Sequence, residues 1–426
     1  MSIDIVVGAN WGDEGKGRMV DYLAQTADFV VRYQGGNNAG HTVVNEFGEF
    51  KLHLLPSGVF NPKVMNILGP GMVIDLQGLA DEIDALKARG ITPNLRVSDR
   101  ATICFPFHRM EDGWEEERLG KNAYGSTRRG IAPAYGDRTL KKALQMGDLL
   151  FPARLRARLE QVCEWKLQKA ELFYGQKDTF TYEGMLEWAE THGNRLRGLI
   201  CDTTVLLDEG ARAGKNILFE AQLGTLRDLN FGIYPFTTSS CTLASYAPIG
   251  GGLFGHSLDR VVAVVKAFST CVGEGPFVTL MDKAEADPLR ESAKEYGAAT
   301  GRPRTIGHFD ALATRYGVQV QGATEVALTK LDSLSGQKRL KICTHYEHDG
   351  KRYDRFPLNA VLEEATPAYI EMPGWGEDIT GARRFEDLPE TARAYVLKIE
   401  ELIGCRVRYV SVGTERDALM DRGTGC

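Results

Sequence analysis

Ile3-Asp4-Ile5-Val6-Val7 runs directly into Gly8-Ala9-Asn10-Trp11-Gly12-Asp13-Glu14-Gly15-Lys16-Gly17, a short apolar strand ending in a glycine-rich turn that carries a lysine. Glycines without a Cβ let backbone N–H groups point at phosphate oxygens, the start of the following helix adds its positive end, and the lysine adds a mobile charge. The stretch therefore reads as the phosphate loop of an α/β nucleotide enzyme. It departs twice from the common G-x-x-x-x-G-K-[ST] loop, because Asn10 occupies the first glycine position and Gly17 replaces the hydroxyl residue that holds Mg²⁺. In exchange it has Asp13 inside the loop, where a bound phosphate and metal ion would keep a carboxylate ionised beside the reacting atoms.

Working outward, the next apolar strand, Phe29 to Arg32, leads into Gln34-Gly35-Gly36-Asn37-Asn38-Ala39-Gly40-His41-Thr42. His41 supplies a group that can act as an acid near neutral pH while Asp13 acts as the base. Taken singly, a loop aspartate is a turn former and a histidine beside threonine is a satisfied structural group. In two glycine-rich loops after adjacent strands they read as a catalytic pair.

Three further stretches carry recognition chemistry. Lys330-Leu331-Asp332 follows the strand Glu325 to Thr329, at a strand's carboxyl end where open α/β sheets bind ligands. Guanine offers N1–H and an N2 amine as adjacent donors that one carboxylate accepts together, and adenine offers no such pair. The competing role for Asp332 is to cap a turn beginning at Ser333. Gly297-Ala298-Ala299-Thr300-Gly301-Arg302-Pro303-Arg304 sets two arginines in a glycine-bounded loop, either a clamp for the carboxylates of a substrate or a solvated basic loop. Gly125-Ser126-Thr127-Arg128-Arg129-Gly130 and Thr237-Thr238-Ser239-Ser240 bring hydroxyls and backbone amides that can hold a monophosphate.

Composition bounds these readings. The 426 residues are 43% hydrophobic and 25% charged, ordinary for a soluble chain with more than one lobe. A net charge of −6 argues against non-specific nucleic-acid binding despite basic patches at Arg128-Arg129 and Lys141-Lys142. A strand within the first residues leaves no room for a leader, and no apolar run reaches membrane-spanning length, so a cytoplasmic protein is expected. The eight cysteines show no metal-ligand spacing and are expected to be reduced. Periodicity predicts strands at 3–7, 29–33, 51–55, 65–69, 217–220, 260–266, 325–331, 339–345 and 406–411, with helices at 77–89, 182–208 and 386–403. The continuous apolar run Val261 to Val265 predicts a mostly parallel central sheet covered by helices on both faces. Charged helical segments such as Phe151 to Phe173 mark a mainly helical insertion. The expected organisation is one catalytic unit over 1–426, with a phosphate-loop part at 1–99, the insertion at 100–210, and a sheet core with base-binding and arginine loops at 211–426.

These residues carry a resemblance. Trp11-Gly12-Asp13-Glu14-Gly15-Lys16-Gly17, Gln34-Gly35-Gly36 with Asn38-Ala39-Gly40-His41-Thr42, Gly301-Arg302-Pro303-Arg304 and Thr329-Lys330-Leu331-Asp332 resemble, in order and across nearly the whole chain, the signatures of the adenylosuccinate synthetases. The resemblance implies a cytoplasmic homodimeric ligase of purine biosynthesis with a P-loop-like α/β fold, joining L-aspartate to IMP with GTP and Mg²⁺. By resemblance Asp13, His41 and Lys16 are catalytic. GTP would meet Gly12, Asp13, Glu14, Gly15, Lys16, Gly17, Gly40, His41, Thr42, Lys330, Asp332, Ser411 and Gly413. IMP would meet Asp13, Asn38, Thr127, Gln222, Thr238, Val272 and Arg302, with Lys141 of the other subunit at its phosphate. Aspartate would meet Thr300, Arg302 and Arg304, and Mg²⁺ would take Asp13 and the Gly40 carbonyl.

The chain departs from the commonest family pattern at Asn10, Ser126 and Lys141, which stand where glutamine, threonine and arginine are usual. In Glu220-Ala221-Gln222-Leu223-Gly224 the glutamine sits one place early. Two alternatives share some of these features: a GTP-dependent switch, which needs neither His41 nor the arginines, and a ligase on the same scaffold that takes another purine monophosphate, such as a guanine nucleotide.

Overall fold

The structure, a computed structural model, describes residues 1–297 and 301–423. Its centre is a ten-stranded sheet, in the order Leu419–Asp421, Val407–Ser411, Glu325–Thr329, Arg260–Lys266, Ile3–Gly8, Ile217–Glu220, Phe29–Arg32, Met65–Leu68, Leu95–Ser98 and Ile200–Cys201. Every neighbouring pair is parallel except the edge strand Leu419–Asp421. The first strand is paired on both sides, Ile5 opposite Phe219 and Val261.

Strand side chains alternate between faces, and the sequence fills both faces with apolar residues. Ile5, Val7, Val31, Phe219, Ala263 and Val265 enter one core, while Val6, Val30, Leu218, Val262 and Val264 enter the other. The helix Lys16–Leu23 covers the second face through Met19 and Val20, and the helix Glu390–Ile403 covers the first through Val396 and Ile399. Each such side chain contributes about 1.5–3 kcal/mol on burial, which accounts for a sheet with so few polar interruptions.

A third core lies under the helices Leu76–Lys87, Pro106–Leu119, Pro152–Tyr174 and Tyr182–Leu196, with Leu79, Ile83, Phe105, Phe107, Leu155, Leu159 and Met185 inside it. Among the described residues, no helix is long and apolar enough to cross a membrane.

Two expected elements differ. The helix predicted over 182–208 ends at Leu196; the edge strand Ile200–Cys201 intervenes, and a new helix, Thr203–Arg212, starts where the Asp202 side chain accepts from Thr204 N–H at 3.0 Å. Helical periodicity ran through this break because Leu196, Leu199 and Ile200 all pack inward or at its margin. The strand predicted over 51–55 is instead Gly48–Leu52, paired with His41–Asn45 in a hairpin. Its continuation is excluded because Glu82 takes the amides of His53, Leu54 and Leu55.

The helical region contains a buried ionic cluster in which Lys166 Nζ lies 2.6 Å from both Glu111 and Asp137. His108 Nδ1 accepts the Phe105 N–H at 2.9 Å and Nε2 faces Asp137 at 3.0 Å, so the ring is held as one neutral tautomer. Burial, helped by Lys166 and opposed by Asp137, draws its pKa below the ordinary 6.5. The unfolded chain therefore binds a proton that the folded chain refuses. This contribution is complete above about pH 6.5 and lost as pH falls below it, by at most about 1.4 kcal/mol per pH unit. Urea unfolding at pH 7.5 and 5.5 is expected to show a smaller pH dependence for His108→Gln than for the parent chain, and equal dependences would place the titrating group elsewhere.

Candidate functional site

Because the strands are parallel, the loops after Gly8, Arg32, Glu220, Lys266, Thr329 and Ser411 open on one edge of the sheet. A cavity of about 440 Å³ lies there. Of the residues singled out from sequence, Gly12, Asp13, Asn38, Gly40, Thr127, Thr238, Val272 and Arg304 line it. Among the described residues, Gln222, Lys141 and Arg302 are not part of its wall. Thr300 lies outside the described residues.

The phosphate loop is closed on its own glutamate. Glu14 Oε1 accepts from Gly12 N at 2.8 Å and Asn10 N at 3.2 Å, and Oε2 holds Lys16 Nζ at 2.6 Å. Glu14 and Lys16 are each 3% exposed. The close approach needs Gly8, where a Cβ would meet the Glu14 carboxylate at 2.6 Å. The loop's amides and its lysine are thus engaged with a carboxylate, in the way an anion would engage them.

Asp13 sits in the left-handed region at φ 59°, which turns its carboxylate into the cavity. Arg304 binds it through Nη2 at 2.8 Å and Nε at 3.1 Å, both to Oδ2. Burial works to raise the Asp13 pKa, but Arg304, Lys266 and Lys16 outweigh it and hold the group below its usual range. Sequence reasoning missed two members of this cluster. Glu295 Oε2 takes Arg304 Nη1 at 2.5 Å and Lys266 Nζ at 2.6 Å, and burial, opposed by Glu295, pulls Lys266 down to about 8. The apolar run that identified the strand Arg260–Lys266 ends on this lysine, which was the available signal.

His41 begins the hairpin strand His41–Asn45 and is 7% exposed. Its Nδ1 lies 2.5 Å from Glu220 Oε1, and Glu220 also accepts from Ser57 N and Oγ, each at 2.7 Å. Burial alone would raise Glu220, yet His41, Arg32 and Ser57 keep it ionised, while burial draws His41 below its ordinary value against that carboxylate. Nδ1 is therefore committed and Nε2 remains the working nitrogen. Glu220, at the end of a buried strand, was a third residue that sequence reasoning missed.

Gln222 is fully buried behind the cavity wall, with Nε2 on Asn38 Oδ1 at 2.8 Å and Oε1 on Arg32. Gly35, at φ 77°, leaves the room its amide fills. Leu223, itself at φ 59°, lines the cavity instead. Arg227 ties the surrounding loops by donating to the carbonyls of Phe236, Val272 and Glu274 at 2.5, 2.9 and 2.9 Å.

Several polar groups of the two hydroxyl-rich loops, which could hold phosphate oxygens, are bonded within the chain. Glu116 accepts from the amides of Tyr124, Gly125 and Ser126 at 3.1, 3.0 and 3.0 Å. Asp112 accepts from Ser126 Oγ at 2.7 Å and Gly130 N at 2.8 Å. Ser240 Oγ is turned onto Gln34 at 2.9 Å. Thr127 and Thr238 line the cavity, as do Thr237 and Ser239. Arg302 reaches the Gly125 carbonyl at 3.5 Å, and Lys141 is exposed at the end of the helix Ile131–Thr139.

Lys330, Asp332, Ser411 and Gly413 gather apart from the cavity, joined to it by the phosphate loop. Thr329 Oγ1 donates to the Glu14 carbonyl at 2.7 Å, and Arg18, two residues past Lys16, binds Ser411 Oγ and the Glu415 carbonyl. Lys330 Nζ donates to the Ala293 carbonyl at 2.8 Å. Asp332 opens the short turn Asp332–Leu334 without capping it through its side chain, so the helix-cap role does not account for its carboxylate.

Hard oxygen donors suited to Mg²⁺ are present in Asp13, whose Oδ1 takes no hydrogen bond among the described residues, and in Gly40 on the same cavity wall. Among the described residues, no group of three or more His, Cys, Asp or Glu side chains could hold a metal, which fits an ion that takes one or two carboxylates and leaves its other positions to phosphates and water.

Comparison with known proteins agrees with this geometry. The family model for adenylosuccinate synthetase matches residues 5–420. The chain is 52% identical over 419 residues to adenylosuccinate synthetase 2 of Pseudoalteromonas translucida, covering 98% of this chain and 99% of that one. It is 46% identical over 425 residues to adenylosuccinate synthetase of Heliobacterium modesticaldum, covering 99% of each. The fully ligated adenylosuccinate synthetase of Plasmodium falciparum superposes with a TM-score of 0.93 at 31% identity, covering 99% of this chain and 100% of that one. With the match running from the first strand to the last, through both glycine-rich loops and the arginine loop, the chain belongs to the adenylosuccinate synthetase family.

Proposed function

We propose that Asp13, His41 and Lys16 carry out the chain's reaction, the GTP-dependent ligation of L-aspartate to IMP that yields adenylosuccinate, GDP and phosphate in purine nucleotide biosynthesis. The observation that carries the assignment is the Arg304–Asp13 contact at 2.8 Å. It sets the arginine expected to hold aspartate beside the acid expected to take the purine proton, so the attacking amine and C6 of IMP are brought to the same spot.

Asp13 accepts the N1 proton of IMP, and the resulting 6-oxyanion attacks the γ-phosphorus of GTP, releasing GDP and leaving 6-phosphoryl-IMP. Lys16, once turned from Glu14 to the phosphates, and His41 through Nε2 stabilise the charge that builds there. Phosphate oxygens arriving beside His41 favour its imidazolium and offset the effect of burial. Aspartate, held by Thr300, Arg302 and Arg304, then attacks C6 through its amine and phosphate leaves. Asp13 and the Gly40 carbonyl would hold Mg²⁺, which supplies charge neutralisation on the GTP oxygens.

GTP would lie along Gly12 to Gly17, Gly40, His41 and Thr42, with guanine at Lys330, Asp332, Ser411 and Gly413. IMP would use Asp13, Asn38, Thr127, Thr238, Val272 and Arg302; Gln222 supports this set from behind through Asn38. The end of the cavity around Asp112, Glu115, Glu116 and Asp137 is acidic and favours a cation supplied from outside the chain when an anionic phosphate binds there. That favours a homodimer in which Lys141 of the second subunit completes the IMP site, with regions 1–99, 100–210 and 211–426 acting as one unit; a cytoplasmic place for it rests on the family resemblance.

Steady-state kinetics of Asp13→Ala and His41→Asn are expected to show kcat reduced by at least about a hundredfold with IMP still bound; near-normal turnover in either would remove its role, and a rise in KM alone would make it a binding residue. For Asp332→Asn, the amide places a donor opposite guanine N2, so competition among GTP, ATP and XTP should show GTP weakened by about 1–3 kcal/mol and XTP gained. An undiminished preference for GTP contradicts the base-reading role. Lys141→Leu should raise KM for IMP and leave KM for GTP unchanged, and an unaltered IMP dependence sinks the cross-subunit contact.

A further inference from the structure

Thr127 is the residue of the 124–130 loop left free to face the nucleotide phosphate, and something must hold it there. Asp112 and Glu116 lie one turn apart on the same side of the helix Pro106–Leu119. Both are buried, at 6% and 9% exposure, and both border the cavity. Glu116 grips the loop at its start, through three consecutive amides, and Asp112 grips it at Ser126 and again at its end, Gly130. Ser126 Oγ in turn accepts from Arg128 N at 3.1 Å. Between these anchors Gly125, Arg128 and Gly130 adopt φ of 75°, 55° and 77°, a path that an unanchored chain with an arginine at positive φ would leave. Among the described residues, no hydrogen bond ties Thr127.

Two buried carboxylates next to a phosphate subsite repel the ligand they border. A device used only for stability could be built from neutral acceptors at lower electrostatic cost, whereas carboxylates accept several charge-assisted bonds from one loop and fix its path more stiffly. We infer that Asp112 and Glu116 are positioning residues of the IMP phosphate subsite: they take the amides of Tyr124, Gly125, Ser126 and Gly130, the two ends of the loop, and so hold Thr127 between them towards the phosphate. The inference rests on the assignment of Thr127 to IMP made above. It also gives Ser126 a task that differs from that of Thr127, since its hydroxyl is committed to Asp112.

The test is the kinetics and calorimetry of four variants of the full-length enzyme with IMP and with GTP. Glu116→Ala should raise KM and Kd for IMP about tenfold or more, with kcat within about twofold and GTP binding unchanged. Asp112→Ala should behave in the same way. Asp112→Asn should restore most of the loss, because the amide accepts from Gly130 N and donates to a rotated Ser126 hydroxyl. Thr127→Ala is the control for the subsite. If it leaves IMP binding unchanged, the assignment of Thr127 fails and the inference falls with it. If it weakens IMP binding while Glu116→Ala and Asp112→Ala do not, the inference alone is overturned. A parallel loss of IMP and GTP binding, or a failure of both alanine variants to fold, assigns the carboxylates to general stability and also overturns it.

Discussion

The parallel register of Ile3–Gly8 between Ile217–Glu220 and Arg260–Lys266 is the constraint on which the site depends. It lets the first and third strands end on the same edge of the sheet, so Asp13 just beyond the first and Lys266 at the end of the third act on one another although they are far apart in sequence, while Glu220 ends the second strand opposite Val6. A slip of one residue would send each strand's side chains to the opposite face. Val6, Val262 and Val264 would then exchange cores with Ile5, Ala263 and Val265, and the apolar burial that prevents this is far larger than any single contact in the site.

On that frame both loops read from sequence as phosphate holders are closed by carboxylates of the chain itself. Glu14 occupies amides of the first loop and pairs with Lys16; Glu116 occupies amides of the second. Buried amides without acceptors cost about 1–3 kcal/mol each, so a loop shaped for phosphate needs an acceptor in the phosphate's absence. The two loops solve this differently. Glu14 is paired with the very lysine that a phosphate would recruit, which makes its contact exchangeable. Glu116 is joined by Asp112 in a brace whose hydrogen-bond donors, among the described residues, are backbone amides and the Ser126 hydroxyl.

Local features of the chain were legible in sequence. The glycines, the loop acid, the histidine and the arginine pair all sit in short segments whose residue types have a direct chemical meaning, and continuous valine runs announced a sheet buried on both faces. What escaped was what only three dimensions supply. Glu220 looked like the end of a strand until His41 and Ser57 arrived against it, Lys266 looked like another strand end, and Glu295 was not singled out at all. Helical periodicity also cannot see a break such as that at Arg197–Leu199, because apolar residues at an edge strand mimic the spacing of a helix. The hydroxyl loops carried a related ambiguity: a serine in a phosphate-like motif is equally suited to bonding a neighbouring aspartate, and Ser126 does so with Asp112.

The cluster Lys266–Glu295–Arg304–Asp13 shows how a charged site can be both stable and adaptable. Side-chain exposure rises along it, from 4% and 0% at Lys266 and Glu295 to 11% at Arg304 and 28% at Asp13. Breaking a fully buried pair from one side costs about 3–5 kcal/mol, so Glu295, which takes both cations on one oxygen, is a fixed partner. Asp13 is at the wet end, where a pair is weaker and ligands can compete. Arg304 therefore has one partner it keeps and one it can exchange. On the roles proposed above, a substrate carboxylate that took the Asp13 position would return to Asp13 the basicity that Arg304 removes, linking the arrival of the amino acid to the strength of the base.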